Sequence, residues 1–113
     1  MQNLNLKKVK QQSGILINKN MYDIYFGNAV KKDLKNLSEN IRKKVDEIFS
    51  VLSNSPSTGE SLRGEFLGYY SYHFRVSGVD YRIIYSIKST ELVILIILVG
   101  TRENIYKQLK RRL

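Results

Sequence analysis

The stretch Tyr70-Ser71-Tyr72-His73-Phe74-Arg75-Val76, then Ser77-Gly78-Val79-Asp80, then Tyr81-Arg82-Ile83-Ile84-Tyr85-Ser86-Ile87-Lys88 decides the fold. Large apolar side chains occupy every second position: Tyr70, Tyr72, Phe74 and Val76, then Tyr81, Ile83, Tyr85 and Ile87. A period of two belongs to a strand, whose successive side chains point to opposite faces. The turn chemistry between the runs makes them an antiparallel pair with one apolar face. Ser71, His73, Arg75 and Arg82 then share the other face.

Reading onward, Lys88-Ser89-Thr90-Glu91 is another turn. Leu92-Val93-Ile94-Leu95-Ile96-Ile97-Leu98-Val99 is apolar on both faces, which predicts a central strand covered on two sides. Gly100-Thr101 ends it, and residues 103–112 form a short basic helix. Reading backward, Ser53 to Gly59 is loop chemistry. Before it, Val30, Leu34, Leu37, Ile41, Val45, Ile48, Phe49 and Leu52 recur at spacings of mostly three or four, an amphipathic helical pattern. Ser38 interrupts it as an N-cap residue. Two helices over 28–37 and 39–53, forming a hairpin, are therefore predicted. Tyr22-Asp23-Ile24-Tyr25-Phe26 reads as a strand broken by Gly27-Asn28. The order β-α-α-β-β-β-α makes this an α+β domain, an antiparallel sheet packed by a helical hairpin on one face.

The core domain spans residues 21–113. Residues 1–20 read as an appended basic arm, disordered or a start-site artefact: Lys7, Lys8, Lys10 and Lys19 stand there without an acid. The 113 residues are 42% hydrophobic, one domain's core. Cysteine is absent, which excludes disulfides and thiolate metal sites. The formal net charge is +9, concentrated at the two ends. Arg102, Lys107, Lys110, Arg111 and Arg112 face Glu103 alone in the last stretch. Such blocks meet phosphates or stay solvated. The longest apolar run, Leu92 to Val99, is too short to span a bilayer, which takes about 20 residues. Gly14-Ile15-Leu16-Ile17 is too short for a signal peptide. A cytoplasmic protein is expected.

The polar sheet face is where chemistry is expected. Ser71, His73, Arg75 and Arg82 lie on it, Arg102 follows the central strand, and Tyr106 projects from the last helix toward it if that helix folds back. Arginine forks grip phosphate oxygens, and preorganised charge stabilises a transition state. Among arginines the Tyr106 phenol is expected to titrate below its usual value near 10 and to serve as a base. Cleavage of RNA by its own 2′-hydroxyl fits this set. There is no phosphate-binding glycine loop, no zinc ligand set and no Ser-His-Asp arrangement. No metal or cofactor is expected. The plainer alternatives are an exposed Arg82, a surface His73, an Arg75 paired with Glu65 or Asp80, a Tyr106 that only packs helix on sheet, and a solvated basic helix end.

From Met21 onward the chain resembles the RelE/ParE superfamily of bacterial toxins. The resemblance runs through Tyr22 to Phe26 with Ala29 to Leu34, Leu52 to Pro56, Leu62-Arg63-Gly64, Gly78 to Tyr85, and Val99 to Glu103 with Tyr106. It implies a RelE-like fold and a ribosome-dependent messenger-RNA endonuclease acting in the A site, silenced by a cognate antitoxin in a hetero-oligomer. It further implies that Arg82 holds the scissile phosphate and Arg102 stabilises charge and helps protonate the leaving group. Tyr106 is the implied base, and Arg63 contacts RNA. Ser71, His73, Arg75 and Lys107 complete the expected substrate surface. RelE itself carries two lysines where this chain has Ser71 and His73, which leaves His73 open to a part in proton transfer. A ParE-like inhibitor of DNA gyrase on the same fold, or an inactive toxin fold that binds an antitoxin, are the alternatives.

Overall fold

The computed structural model describes residues 7–8 and 21–113. In chain order the elements are β1 (Lys7–Lys8), β2 (Asp23–Phe26), α1 (Asn28–Lys35), α2 (Glu39–Asn54), β3 (Glu60–Ser61), β4 (Tyr69–Val76), β5 (Val79–Lys88), β6 (Val93–Thr101) and α3 (Ile105–Arg112). The fold is α+β as expected, and both predicted helices form within a few residues of their predicted ends. Ser38 caps α2 by its extended backbone, without a side-chain hydrogen bond. The arm lies outside the described residues except for Lys7–Lys8, whose backbone pairs antiparallel with β2. No described helix is long and apolar enough to cross a membrane.

The sheet order is β1-β2-β6-β5-β4-β3. The expected meander β4-β5-β6 forms, but the sheet as a whole is mixed: β2 runs parallel to β6, with Ile24 opposite Ile94. The helical hairpin between β2 and the meander supplies the crossover such a pair requires. The β4–β5 turn is tighter than expected. Ser77 and Gly78 both have positive φ (50° and 80°), and Val79 already pairs with Val76. Positive φ at both central residues is the mirror-type turn that matches strand twist.

The apolar face packs as predicted. Phe74, Tyr81, Ile83 and Tyr85 join Val45, Ile48, Phe49 and Leu52 of α2, Val30 and Leu34 of α1, and Ile24, Ile94, Ile96 and Val99 in the main core. The opposite face is not left wholly open. Leu62, Ile84, Leu98, Ile105 and Leu109 form a second core, with Phe66, Tyr69 and Ile97 against it. A bulge produces this switch: Ile84 faces Leu98 but Tyr85 faces Ile96, so Ile97 is the extra residue. A bulge re-aims side chains at the cost of a ladder position.

That cost is met by α1 and α3. Beyond Ile96, the β2 side of β6 has no strand partner among the described residues. The Ile97 carbonyl there accepts from Arg112 Nη1 at 2.8 Å, and the Val99 N–H donates to Asp33 Oδ2 at 3.0 Å. Arg112 and Asp33 are also joined by a two-pronged ion pair, both distances 2.7 Å. Arg112, expected among the solvated or RNA-facing charges of the basic end, instead fastens the last helix to the first.

Candidate active site

The candidate site occupies the half of the second sheet face that α3 leaves uncovered. Strand alternation brings His73 and Arg75 of β4 onto that face. Arg82 and Asp80 of β5 lie opposite them, His73 facing Arg82 and Arg75 facing Asp80. Gly100 is the residue opposite Arg82 on β6. Without a side chain, it lets α3 pack close: a Cβ there would lie 3.5 Å from Ile105 Cδ1 and 3.9 Å from Gln108 Oε1. His73, Arg75, Asp80, Arg82 and Arg102, with Phe74 and Tyr81, line a cleft of about 540 Å³.

Tyr106 is brought in by α3. Asn104 adopts the left-handed conformation (φ 60°) and turns the chain into that helix. Ile105 and Leu109, four apart and both buried, plug into the second core, which leaves Tyr106 at the surface. There its hydroxyl accepts a hydrogen bond of 3.0 Å from Arg82 Nη1, and the Arg82 guanidinium lies 5.8 Å from the ring centre. Phe66 stacks on Tyr106, ring centres 5.9 Å apart. Lys110 Nζ lies 3.9 Å from Oε1 of Glu65, the residue before Phe66, a second contact between α3 and the segment that follows β3.

The arginines are shared out differently from expectation. Only Arg82 is hydrogen-bonded to Tyr106 among the described contacts. Arg102 Nη1 lies 3.9 Å from Asp80 Oδ2, and the Arg102 N–H donates to the Asp80 carbonyl at 2.9 Å. Arg75 Nε lies 3.3 Å from Asp80 Oδ1, one of its two anticipated partners. Tyr106 thus meets one guanidinium rather than a ring of them.

Ser71 is corrected outright. It lies on the expected face but is 1% exposed, and its hydroxyl has no hydrogen-bond partner among the described residues. β3 pairs alongside it, and Ile84, its partner across the ladder, belongs to the second core, which leaves the Ser71 side chain buried. Arg63 and Lys107 are exposed but do not line the cleft. Arg63 follows β3, and Lys107 follows Tyr106 on α3.

His73 is half-exposed, with Nε2 3.5 Å from Glu60 Oε1. Its pKa is lowered from the usual 6.5, first by partial burial, then by the facing Arg82; Glu60 opposes this and Arg102 adds to it. The imidazole is therefore neutral at pH 7 and able to accept a proton. Glu60 was not singled out from the sequence, and Asp80 was named there only as a partner for Arg75. Asp80 lay in what read as a turn. Glu60 sits on a two-residue strand, too short for any alternation to show. Among the described residues no group of three or more His, Asp or Glu is arranged to hold a metal ion.

Comparison with known proteins fits this architecture. The family model described as ParE-like toxin of type II bacterial toxin-antitoxin system matches residues 24–110. The structure of the RelBE2 toxin-antitoxin complex from Mycobacterium tuberculosis shares 31% identity, over 70% of this chain and 95% of that one, with a TM-score of 0.59. An arginine-to-alanine double mutant of Escherichia coli toxin RelE in the free state superposes with a TM-score of 0.67 at 22% identity, covering 84% of this chain and 99% of its own. The same RelE mutant bound to a peptide of antitoxin RelB gives 0.64 at 25% identity, covering 78% and 93%. No curated protein matches by sequence. With the family model spanning both the sheet and the helix that carries Tyr106, the chain belongs to the ParE-like toxins of bacterial type II toxin-antitoxin systems, within the RelE/ParE superfamily.

Proposed function

We propose that this toxin is a metal-independent, cytoplasmic endoribonuclease that cuts messenger RNA in the ribosomal A site. The observation that carries the reading is the Arg82–Tyr106 hydrogen bond beside a cleft holding three arginines. A gyrase inhibitor acting by binding has no need of a guanidinium coupled to a phenol. In the proposed reaction the RNA 2′-hydroxyl attacks the adjacent phosphate, so the nucleophile comes from the substrate. Arg82 grips the phosphate, and Arg102 leaves Asp80 to stabilise the charge developing on it. Tyr106 and His73 are the groups that exchange protons. Arg63 and Lys107 are assigned to RNA or ribosome contacts around the cleft, and the net charge of +9 suits that polyanionic partner.

The cognate partner is a small antitoxin. This extends to the present chain what holds for the M. tuberculosis RelBE2 complex and for E. coli RelE with its RelB peptide. The complex is expected to be a toxin–antitoxin hetero-oligomer. Expression without antitoxin should arrest growth, and primer extension on translated messages should show cuts within A-site codons. Growth arrest with intact messages and an inhibited DNA gyrase would point to the ParE-like alternative instead.

A further inference from the structure

We infer that Glu60 and His73 form a positioning pair in which Glu60 holds the imidazole as the base for the 2′-hydroxyl, leaving Tyr106 to act as the acid. The inference rests on the nuclease reading above and assigns its proton transfers. Three observations carry it.

First, the geometry of Glu60. Its carboxylate lies 3.5 Å from His73 Nε2 and belongs to β3, the edge strand beside β4. A carboxylate can only accept at that nitrogen, so it favours the proton on Nε2 and leaves the Nδ1 lone pair free. Second, the place of Arg82. It faces His73 across the β4–β5 ladder and touches Tyr106 through its guanidinium, so a phosphate held by Arg82 has both groups beside it. Third, the sense of the Arg82–Tyr106 hydrogen bond. Tyr106 oxygen is the acceptor there, so its own O–H remains available to donate. A phenolate left after donation stays next to the Arg82 cation.

The step balances as follows. The 2′-hydroxyl proton passes to His73 Nδ1 as the 2′-oxygen bonds to phosphorus. The bond from phosphorus to the 5′-oxygen breaks, and that oxygen takes the Tyr106 proton. The products are a 2′,3′-cyclic phosphate and a 5′-hydroxyl, and solvent returns the two side chains to their starting states. The charged groups facing His73 are Glu60 on β3, Asp80 and Arg82 on β5, and Arg102 after β6, with Arg75 two residues along β4. Among these, Glu60 is the foremost contributor that raises the affinity of His73 for a proton; Asp80 does so more weakly.

The test uses the full-length toxin on ribosomes programmed with message, with Glu60→Gln beside wild type. His73 is the sole histidine, so its ring carbon and nitrogen signals report its titration and its tautomer directly. The expected result is a wild-type cleavage rate that rises along an acid limb with the His73 titration. In Glu60→Gln that limb and the NMR titration both move to lower pH, and the plateau rate drops about tenfold, within the range of general-base effects. His73→Gln should lose the limb altogether, about 10²-fold down in rate. A merely structural Glu60 lowers the rate without moving the limb, and that result overturns the inference. So does full activity in His73→Gln. A wild type that cuts no message overturns the nuclease reading, whereas a cutting wild type whose profile Glu60→Gln reproduces overturns the inference alone.

Discussion

Arg82 Nη1 donates to Tyr106 Oη at 3.0 Å, a contact between the middle of β5 and the first turn of a helix 24 residues later. It makes the two side chains one unit, since the guanidinium that would grip a phosphate also fixes the phenol beside it. Arg82→Ala should lower cleavage by about 10²–10³-fold, the usual loss of one preorganised charge. Tyr106→Phe should lower it by about 10²-fold. The double mutant should lose much less than the product of the two, because each single change already breaks the shared contact. Single-turnover cleavage of ribosome-bound message measures this; strictly multiplicative losses would mean the two residues act independently.

Asp33 and Arg112 clamp α3 to α1 over the open edge of β6. Their side chains are only 13% and 23% exposed. Removing one partner strands the other, together with the Val99 N–H or the Ile97 carbonyl. Asp33→Ala and Arg112→Ala should each cost roughly 2–4 kcal/mol, toward the lower end of a broken buried pair. Urea unfolding gives the value. Hydrogen exchange should show α3 losing protection first, since Ile105 and Leu109 depend on that clamp to stay in the second core.

Tyr85 holds the loop between α2 and β3. Its hydroxyl donates to the Pro56 carbonyl at 2.6 Å and accepts the Gly59 N–H at 3.0 Å. A Cβ on Gly59 would lie 2.4 Å from that oxygen and 3.1 Å from the Ser71 carbonyl. Gly59→Ala should therefore cost about 1–3 kcal/mol through overpacking. Tyr85→Phe should cost about 1–3 kcal/mol through its two stranded partners. Burial pushes the Tyr85 pKa up to about 12 from 10. A raised folded-state pKa contributes stability that is fully present below pH 10 and is lost as pH climbs toward 12. Unfolding midpoints measured across that interval should fall more steeply in wild type than in Tyr85→Phe.

Much of this is legible in the sequence alone. The alternation of Tyr70 to Val76 and Tyr81 to Ile87 needs only local sterics, and it put His73, Arg75 and Arg82 on one face. The unbroken apolar run after Glu91 correctly announced a strand covered twice. What stayed hidden depends on pairing between distant segments. Register decides that β2 runs parallel to β6, and a single extra residue, Ile97, decides that Leu98 faces the second core. The Asp33–Arg112 clamp joins positions 79 apart. Ser71 alternates like a surface residue and is buried only because β3 and α3 close over its neighbourhood. Glu60 escaped notice for the same reason, since its role exists only once β3 lies beside β4.

Asp80 offers the remaining test, because it places a negative charge inside a cleft read as a phosphate site. Its carboxylate is shared by Arg75 and Arg102, at 3.3 and 3.9 Å. Both arginines are largely solvated and Asp80 is partly so, at 67%, 68% and 42% exposure, so each pair contributes no more than about 0–1 kcal/mol. A phosphate can therefore displace the carboxylate at little cost. Asp80→Asn removes the competing charge, and a 2′-deoxy oligonucleotide, which cannot be cut, should bind about two- to fivefold more tightly. The gain should shrink as salt rises, since it comes from phosphate contacts that release counterions. Fluorescence titration at several salt concentrations measures both. Unchanged or weaker binding would show that Asp80 acts chiefly to hold Arg75 and Arg102 in place, and that its charge does not limit what the cleft accepts.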